Sequence, residues 1–257
     1  MATLDPSPAG MSRRDALVAR IPRWYSPAVH LAVPTTIGLS ILVASILALD
    51  PLRPVELLAV PLTVLLGFEL EWRAHKDILH RRLPLVGTLY VRHELQHHVI
   101  YTYDDMALRS PRELKLILMP AYAIVLIFAM ILPFALAAAR FASLNVALLF
   151  VATSMVFFLA YEWLHMAYHL PQASAVWRLP LLARLRELHR RHHDPRLMKR
   201  WNFNVTIPVF DVVHGTLWSP EREAARGAGR RRRGEAPAGD EAVRRGDAAG
   251  PARGRVC

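Results

Sequence analysis

Glu71-Trp72-Arg73-Ala74-His75-Lys76-Asp77-Ile78-Leu79-His80, followed by His93-Glu94-Leu95-Gln96-His97-His98, is the stretch around which the chain is organised. A second cluster answers it about seventy residues later, with His165-Met166-Ala167-Tyr168-His169 and His189-Arg190-Arg191-His192-His193. Ten of the twelve histidines in the 257 residues fall in the windows 75–98 and 165–193, where even scattering would leave about 2.5. Imidazole is neutral near pH 7 and is the commonest metal-ligating side chain. On a helix, His93 and His97, His165 and His169, and His189 and His193 share a face at i, i+4. His75 and His80 lie about 140° apart on a straight helix and need a bend or a wide site. One such pair alone reads as a satisfied core or surface histidine, but four boxes together read as one metal centre. Ten imidazoles exceed what one first-row ion can use. Two ions at about five nitrogens each fit, and each keeps a position open for oxygen or substrate. The predicted ligands are therefore His75, His80, His93, His97, His98, His165, His169, His189, His192 and His193. The repeated Glu-x-x-His of carboxylate-rich di-metal bundles is absent, so the design is histidine-only.

With 53% hydrophobic residues, the chain is too apolar for an ordinary soluble domain and long enough for one membrane domain. Its single cysteine, Cys257, excludes an internal disulfide framework, a Cys-ligated iron–sulfur cluster and a zinc ribbon. The net charge of +11 raises the question of nucleic acid, but no nucleic-acid motif is present, and much of the charge sits in the C-terminal tail or on one side of the predicted membrane. No nucleic-acid partner is expected.

The fold expected is all-α: an integral membrane protein with four transmembrane helices and a cytoplasmic histidine-rich helical cap. Residues 1–28 read as a mobile N-terminal arm near the membrane surface. No cleavable leader is expected, because the first apolar run begins near Val29 and is already as long as a span. Val29 to Leu49 crosses the bilayer, Asp50-Pro51-Leu52-Arg53-Pro54 turns, and Val55 to Leu70 returns with a kink at Pro61. Leu114 to Ala139 and Leu144 to Tyr161 form a second hairpin joined near Arg140. Spans two and four both lead directly into histidine boxes. Arg13, Arg14, Arg20 and Arg23, with eight Lys and Arg between residues 71 and 115, face only Arg53 and Arg140 on the other side. The positive-inside rule therefore puts the metal site in the cytoplasm. Trp201 to Trp218 is expected to close over the histidine helices, completing a membrane domain over residues 29–220. Residues 221–257, rich in Arg, Ala, Gly and Pro, read as a disordered tail, whose Arg230 to Arg233 run suits anionic lipid.

The order HX4H, HX3HH, HX3H, HX2HH resembles the membrane-bound fatty acid hydroxylase/sterol desaturase superfamily, whose members are di-iron oxygenases. Glu71-Trp72-x-x-His75-Lys76-x-x-x-His80 is most similar to the fatty acid 2-hydroxylase branch. Asn202-Phe203-Asn204-Val205-Thr206, Asp211 and Gly215-Thr216-Leu217 are similar to the superfamily's ending after its last box. The second box has three residues before its His-His pair where the 2-hydroxylases usually have two, and Asn204 stands where glycine is usual. The resemblance spans roughly residues 55 to 218. It implies two iron ions, O2 as co-substrate and hydroxylation of a membrane lipid, with sterol or carotenoid oxidation as the nearest alternative.

Zinc would fill the same imidazoles but has no redox chemistry. Glu71, Asp77, Glu94 and Glu162 are candidate acceptors for fixing imidazole tautomers. The chain has no dinucleotide-binding loop and no fused haem domain, so an external electron donor such as a ferredoxin or cytochrome is expected, steered by the basic surface. A non-catalytic metal-binding or transporting membrane protein is the rival from another class. A transporter would place its ionisable residues within the spans, whereas the clustered histidines are expected beyond the bilayer.

Overall fold

The structure, a computed structural model, describes residues 11–232; no strand occurs among them. Helix α1, Arg13–Ala19, begins at Ser12, whose hydroxyl accepts the Asp15 amide at 3.1 Å. It is docked rather than mobile. The buried Arg14 guanidinium donates to Glu113 at 2.5 Å, to Asp105 at 3.0 Å and to the Ala107 carbonyl at 2.6 Å. Leu17 packs in a cluster with Ile100, Tyr101, Met106 and Ile117. A buried ion pair plus an apolar anchor fixes an arm that composition alone leaves free. Residues 1–10 of the expected arm lie outside the described residues.

Helix α2, Pro27–Leu47, starts with Ser26 as N-cap and proline in its first turn. A 3-10 turn, Pro54–Leu58, then leads into α3, Ala59–Arg73. Pro61 falls in the first turn of α3, where its missing N–H costs nothing, so it starts the helix and does not kink it. Short helices α4, Gly87–Tyr90, α5, His98–Ile100, and α6, Leu114–Ile117, follow. The run expected as one span from Leu114 is broken after α6, where Leu118 turns extended ahead of Pro120. There the Met119 amide donates to Glu162 at 3.2 Å, and its carbonyl accepts from His30 Nε2 at 2.7 Å. Helix α7, Ala123–Phe141, resumes beyond the break. Helix α8, Leu144–Tyr168, runs seven residues past the expected end of its span and carries His165. Helices α9, Pro180–His192, and α10, Val209–Val213, complete the element order up to Thr216.

Among the described residues three helices, α2, α7 and α8, are long and apolar enough to cross a membrane. The fourth expected span corresponds to α3, which has only 15 residues. Large apolar side chains such as Leu39, Val43, Leu62, Leu66, Met130 and Phe134 point outward, the pattern of helices solvated by lipid. Helix α8 is the central post: α2, α3 and α7 all pack on it. The contacts are close, since a Cβ on Gly67 of α3 would stand 2.8 Å from the Phe157 ring and one on Gly38 of α2 would stand 3.1 Å from Leu159. At the hairpin ends, buried Glu56 accepts from the Arg53 amide at 2.8 Å, Ser143 Oγ at 2.6 Å and Asn145 Nδ2 at 3.1 Å. Asn145 in turn accepts the Asp50 amide at 3.0 Å. This clasp joins the two hairpin turns.

Residues from Leu217 onward form a separate unit. In it α11, Pro220–Arg232, is helical where disorder was expected. Ser219 Oγ accepts the Arg222 amide at 3.2 Å, and Trp218 donates to Glu223 at 2.9 Å. Residues 233–257, including Arg233 and Cys257, lie outside the described residues.

Candidate metal centre

Beyond α3 the chain does not continue as an α-helix. Ala74–Leu79 and Val91–His97 are π-helical, and a π-helix bonds i to i+5. Residues five apart therefore share a face, which removes the 140° divergence expected for His75 and His80. It also brings His98 Nε2 within 3.1 Å of His93 Nε2, while the His97 ring stacks on His93 and joins the other group. In the regular α-helices α8 and α9 the i, i+4 rule holds, grouping His165 with His169 and His189 with His193.

The ten imidazoles accordingly gather into two buried groups of five. One contains His75, His80, His93, His98 and His192; the other contains His97, His165, His169, His189 and His193. In each group the candidate ligand atoms all lie within 4.8 Å of one another. The chain thus brings together every sequence-predicted ligand, but it divides neighbours: His192 and His193 serve different groups, as do His97 and His98.

Protonation is fixed by hydrogen bonds on the far side of the rings. Nδ1–H donates to a backbone carbonyl in His75 (Phe203, 2.5 Å), His97 (Leu116, 3.0 Å), His169 (Met106, 2.8 Å), His192 (Trp201, 2.9 Å) and His193 (Tyr101, 2.5 Å). In His80 it donates to the Glu94 carboxylate, which also accepts from Lys199 Nζ at 2.9 Å. A carbonyl can only accept, so the proton in these rings is on Nδ1 and Nε2 presents a lone pair. Burial, reinforced by neighbouring imidazoles, lowers the pKa of His75, His93, His97, His98, His169, His189, His192 and His193 well below the ordinary value. They stay neutral at physiological pH.

These lone pairs converge. His80 and His192 face each other through Nε2 atoms 2.9 Å apart, and both rings carry their proton on the opposite nitrogen. Two such atoms cannot hydrogen-bond to each other, and a shared metal ion would satisfy both lone pairs. The other Nε2 to Nε2 separations are 2.9 Å for His75 and His93, 3.1 Å for His93 and His98, 3.2 Å for His97 and His165, and 3.1 Å for His189 and His193. Two nitrogens at right angles, each about 2.1 Å from one ion, would be about 3.0 Å apart. His169 Nε2 is buried with no protein partner, as expected of an atom reserved for a metal. The residues present therefore fit two metal ions, and an imidazole-only donor set suits iron, zinc or copper.

Of the four acids expected to orient imidazoles, only Glu94 touches one. Asp77 pairs with Lys76 and Arg81 at the surface, and Glu162 holds the Met119 amide. Glu71 acts one step removed, accepting from the amides of Val205 at 2.5 Å and Thr206 at 2.8 Å and from the Thr206 hydroxyl at 2.5 Å. It anchors the loop whose Trp201 and Phe203 carbonyls orient His192 and His75. Asp211 pins the same loop, accepting the amides of Phe203 at 2.9 Å and Asn204 at 2.8 Å and the Thr216 hydroxyl at 2.6 Å. The Trp72 indole donates to Thr216 Oγ1 at 2.9 Å. Asn204 links both anchors, donating to Glu71 at 3.2 Å and accepting the amides of Phe210 and Asp211. The orienting role of the five backbone carbonyls has no sequence signal. The role of Asp211 had one, its place in the ending after the last box.

A cavity reaches both groups through His93 on one side and His97 and His165 on the other. Its remaining wall is mostly apolar, including Leu79, Leu89, Leu116 and Met119, with Arg92 and Tyr161 as the polar members.

A family model described as fatty acid hydroxylase matches residues 60–216, the span holding all ten histidines and the 201–216 loop. No curated protein and no solved structure matches the chain.

Proposed function

Since the chain belongs to the fatty acid hydroxylase family, we propose that it is a membrane di-iron oxygenase that hydroxylates a lipid acyl chain at the carbon beside the acyl carbonyl. The observation that carries this reading is the convergence of ten buried imidazoles into two groups, with a cavity whose wall includes members of both. The reaction converts a C–H bond and O2, with two electrons and two protons, into C–OH and water. Two bound iron ions would supply the O2 activation and C–H cleavage. The protein's part is positional. Nε2 atoms of the two groups would hold the ions, while the carbonyls of Tyr101, Met106, Leu116, Trp201 and Phe203 and the Glu94 carboxylate keep Nδ1 protonated in six of the ten rings. Leu79, Leu89 and Leu116 exclude water from the reacting carbon and guide an apolar chain toward His93 and His97. Electrons come from an external ferredoxin or cytochrome.

The test is expression of the chain with a reductase system under labelled O2, followed by mass spectrometry of total lipid. One labelled oxygen beside the acyl carbonyl is the expected product. Label on a sterol or carotenoid would leave the chemistry and remove the substrate. Unlabelled lipid from an iron-loaded, reduced preparation would remove the enzyme reading.

We further propose that α3, with the 3-10 turn before it, makes a fourth crossing, and that the histidine groups lie in the cytoplasm. The Lys and Arg asymmetry supports this, as does the emergence of the first π-helical segment directly from α3. Reporter fusions after residues 50 and 140 should both read as external. A cytoplasmic signal at either place overturns the two-hairpin arrangement.

A further inference from the structure

We infer that Arg92 binds the carboxylate of the substrate, which makes the substrate a free fatty acid rather than an esterified chain. The inference rests on the lipid reading above and deepens it. Arg92 is half-buried in the wall of the cavity that touches both imidazole groups. One of its terminal nitrogens donates to the carbonyls of Lys115 at 3.0 Å and Leu118 at 3.3 Å, where α6 ends. Those two bonds fix the guanidinium and leave its other N–H groups without a protein acceptor among the described residues. Nor does Arg92 form an ion pair there. Glu162, whose charge reaches it, is occupied by the Met119 amide. The buried cations elsewhere differ: Arg14 has both Glu113 and Asp105.

A guanidinium held at a mostly apolar wall with no carboxylate in direct contact is a strong site for one, which it can meet with two parallel hydrogen bonds. Charge complementarity therefore selects an acid. An ester carbonyl offers no charge and fewer acceptor sites. Position selects the same class, because Arg92 lines the same cavity as His93, His97 and His165, and a carboxylate held on that wall would direct its neighbouring carbon toward the imidazole groups. Tyr161, on the same wall, has a hydroxyl with no hydrogen bond among the described residues and is a second donor for the bound head.

The experiment measures equilibrium binding of radiolabelled palmitate and of its methyl ester to the metal-loaded full chain in nanodiscs, without O2 so that nothing turns over. The native chain should bind the acid at least about tenfold more tightly than the ester, the scale expected of a charge-assisted pair. Arg92→Gln should abolish that preference while leaving ester binding and metal content unchanged. Arg92→Lys should restore most of it. If Arg92 only caps α6, acid and ester binding will fall together in Arg92→Gln, and the inference is overturned. It is equally overturned if the native chain binds both lipids alike. If the native chain binds neither, the lipid reading fails first.

Discussion

Replacing His192 with alanine is expected to remove one metal equivalent and leave the other in place, while activity falls by more than about a hundredfold. That factor is the upper range for losing even an outer hydrogen-bond partner of a metal ligand. His192 belongs to the group with His75, His80, His93 and His98, and its Nε2 lies 2.9 Å from that of His80. His169→Ala should do the same to the other group, whose remaining members are His97, His165, His189 and His193. His30→Ala is the control. His30 is buried, but it bridges the Tyr25 hydroxyl and the Met119 carbonyl and joins neither group, so metal content should stay at two. The measurement is elemental analysis of purified protein beside product formation. Loss of both ions from each single variant would show one shared site. Full loading in His192→Ala or His169→Ala would remove that residue from the ligand set.

Asp211→Ala should be as damaging, although Asp211 touches no imidazole. Its carboxylate is completely buried and satisfies two amides and a hydroxyl. Without it, three donors are left buried and unpaired at about 1–3 kcal/mol each, a large part of a typical domain's stability. The loop that shifts carries the Phe203 and Trp201 carbonyls that set His75 and His192. The metal of that group should therefore be lost before the other. Asp211→Asn should be milder, because an amide oxygen still accepts. Melting temperature and metal content in nanodiscs are the readouts. Native stability with two ions in Asp211→Ala would mean that the loop is held by other contacts.

All ten histidines were legible in the sequence, because composition concentrates them and spacing repeats. Their division was not. The i, i+4 rule that groups His165 with His169 does not predict the grouping of His93 and His97: in the π-helical segment their rings stack, yet His93 joins His98 and His97 joins the other group. A π segment has no residue signature comparable to a proline or a cap, so the pairing of His93 with His98 appears only in the fold. Apolar length revealed α2, α7 and α8. It misplaced the start of α7, because the break at Leu118 to Pro120 depends on His30 and Glu162, distant partners whose contact the local sequence does not announce. The arm at Arg13–Ala19 was misread for the same reason: Arg14 finds its acids about a hundred residues away.

The splitting of the adjacent residues His192 and His193 between the two groups has a consequence for biosynthesis. Four of the five imidazoles of one group are translated by residue 98, but the fifth is His192. The other group takes His97 early and waits for His165, His169, His189 and His193. Neither set is complete until the ribosome has made α9, and an ion bound before α8 is made would find at most four of the five imidazoles of one group and one of the other. The end of α9, with His192 and the His193 that caps it, supplies the last member of each imidazole group together. A chain truncated anywhere before residue 192 is therefore expected to lose both ions together, even though most of one ligand set has already been synthesised.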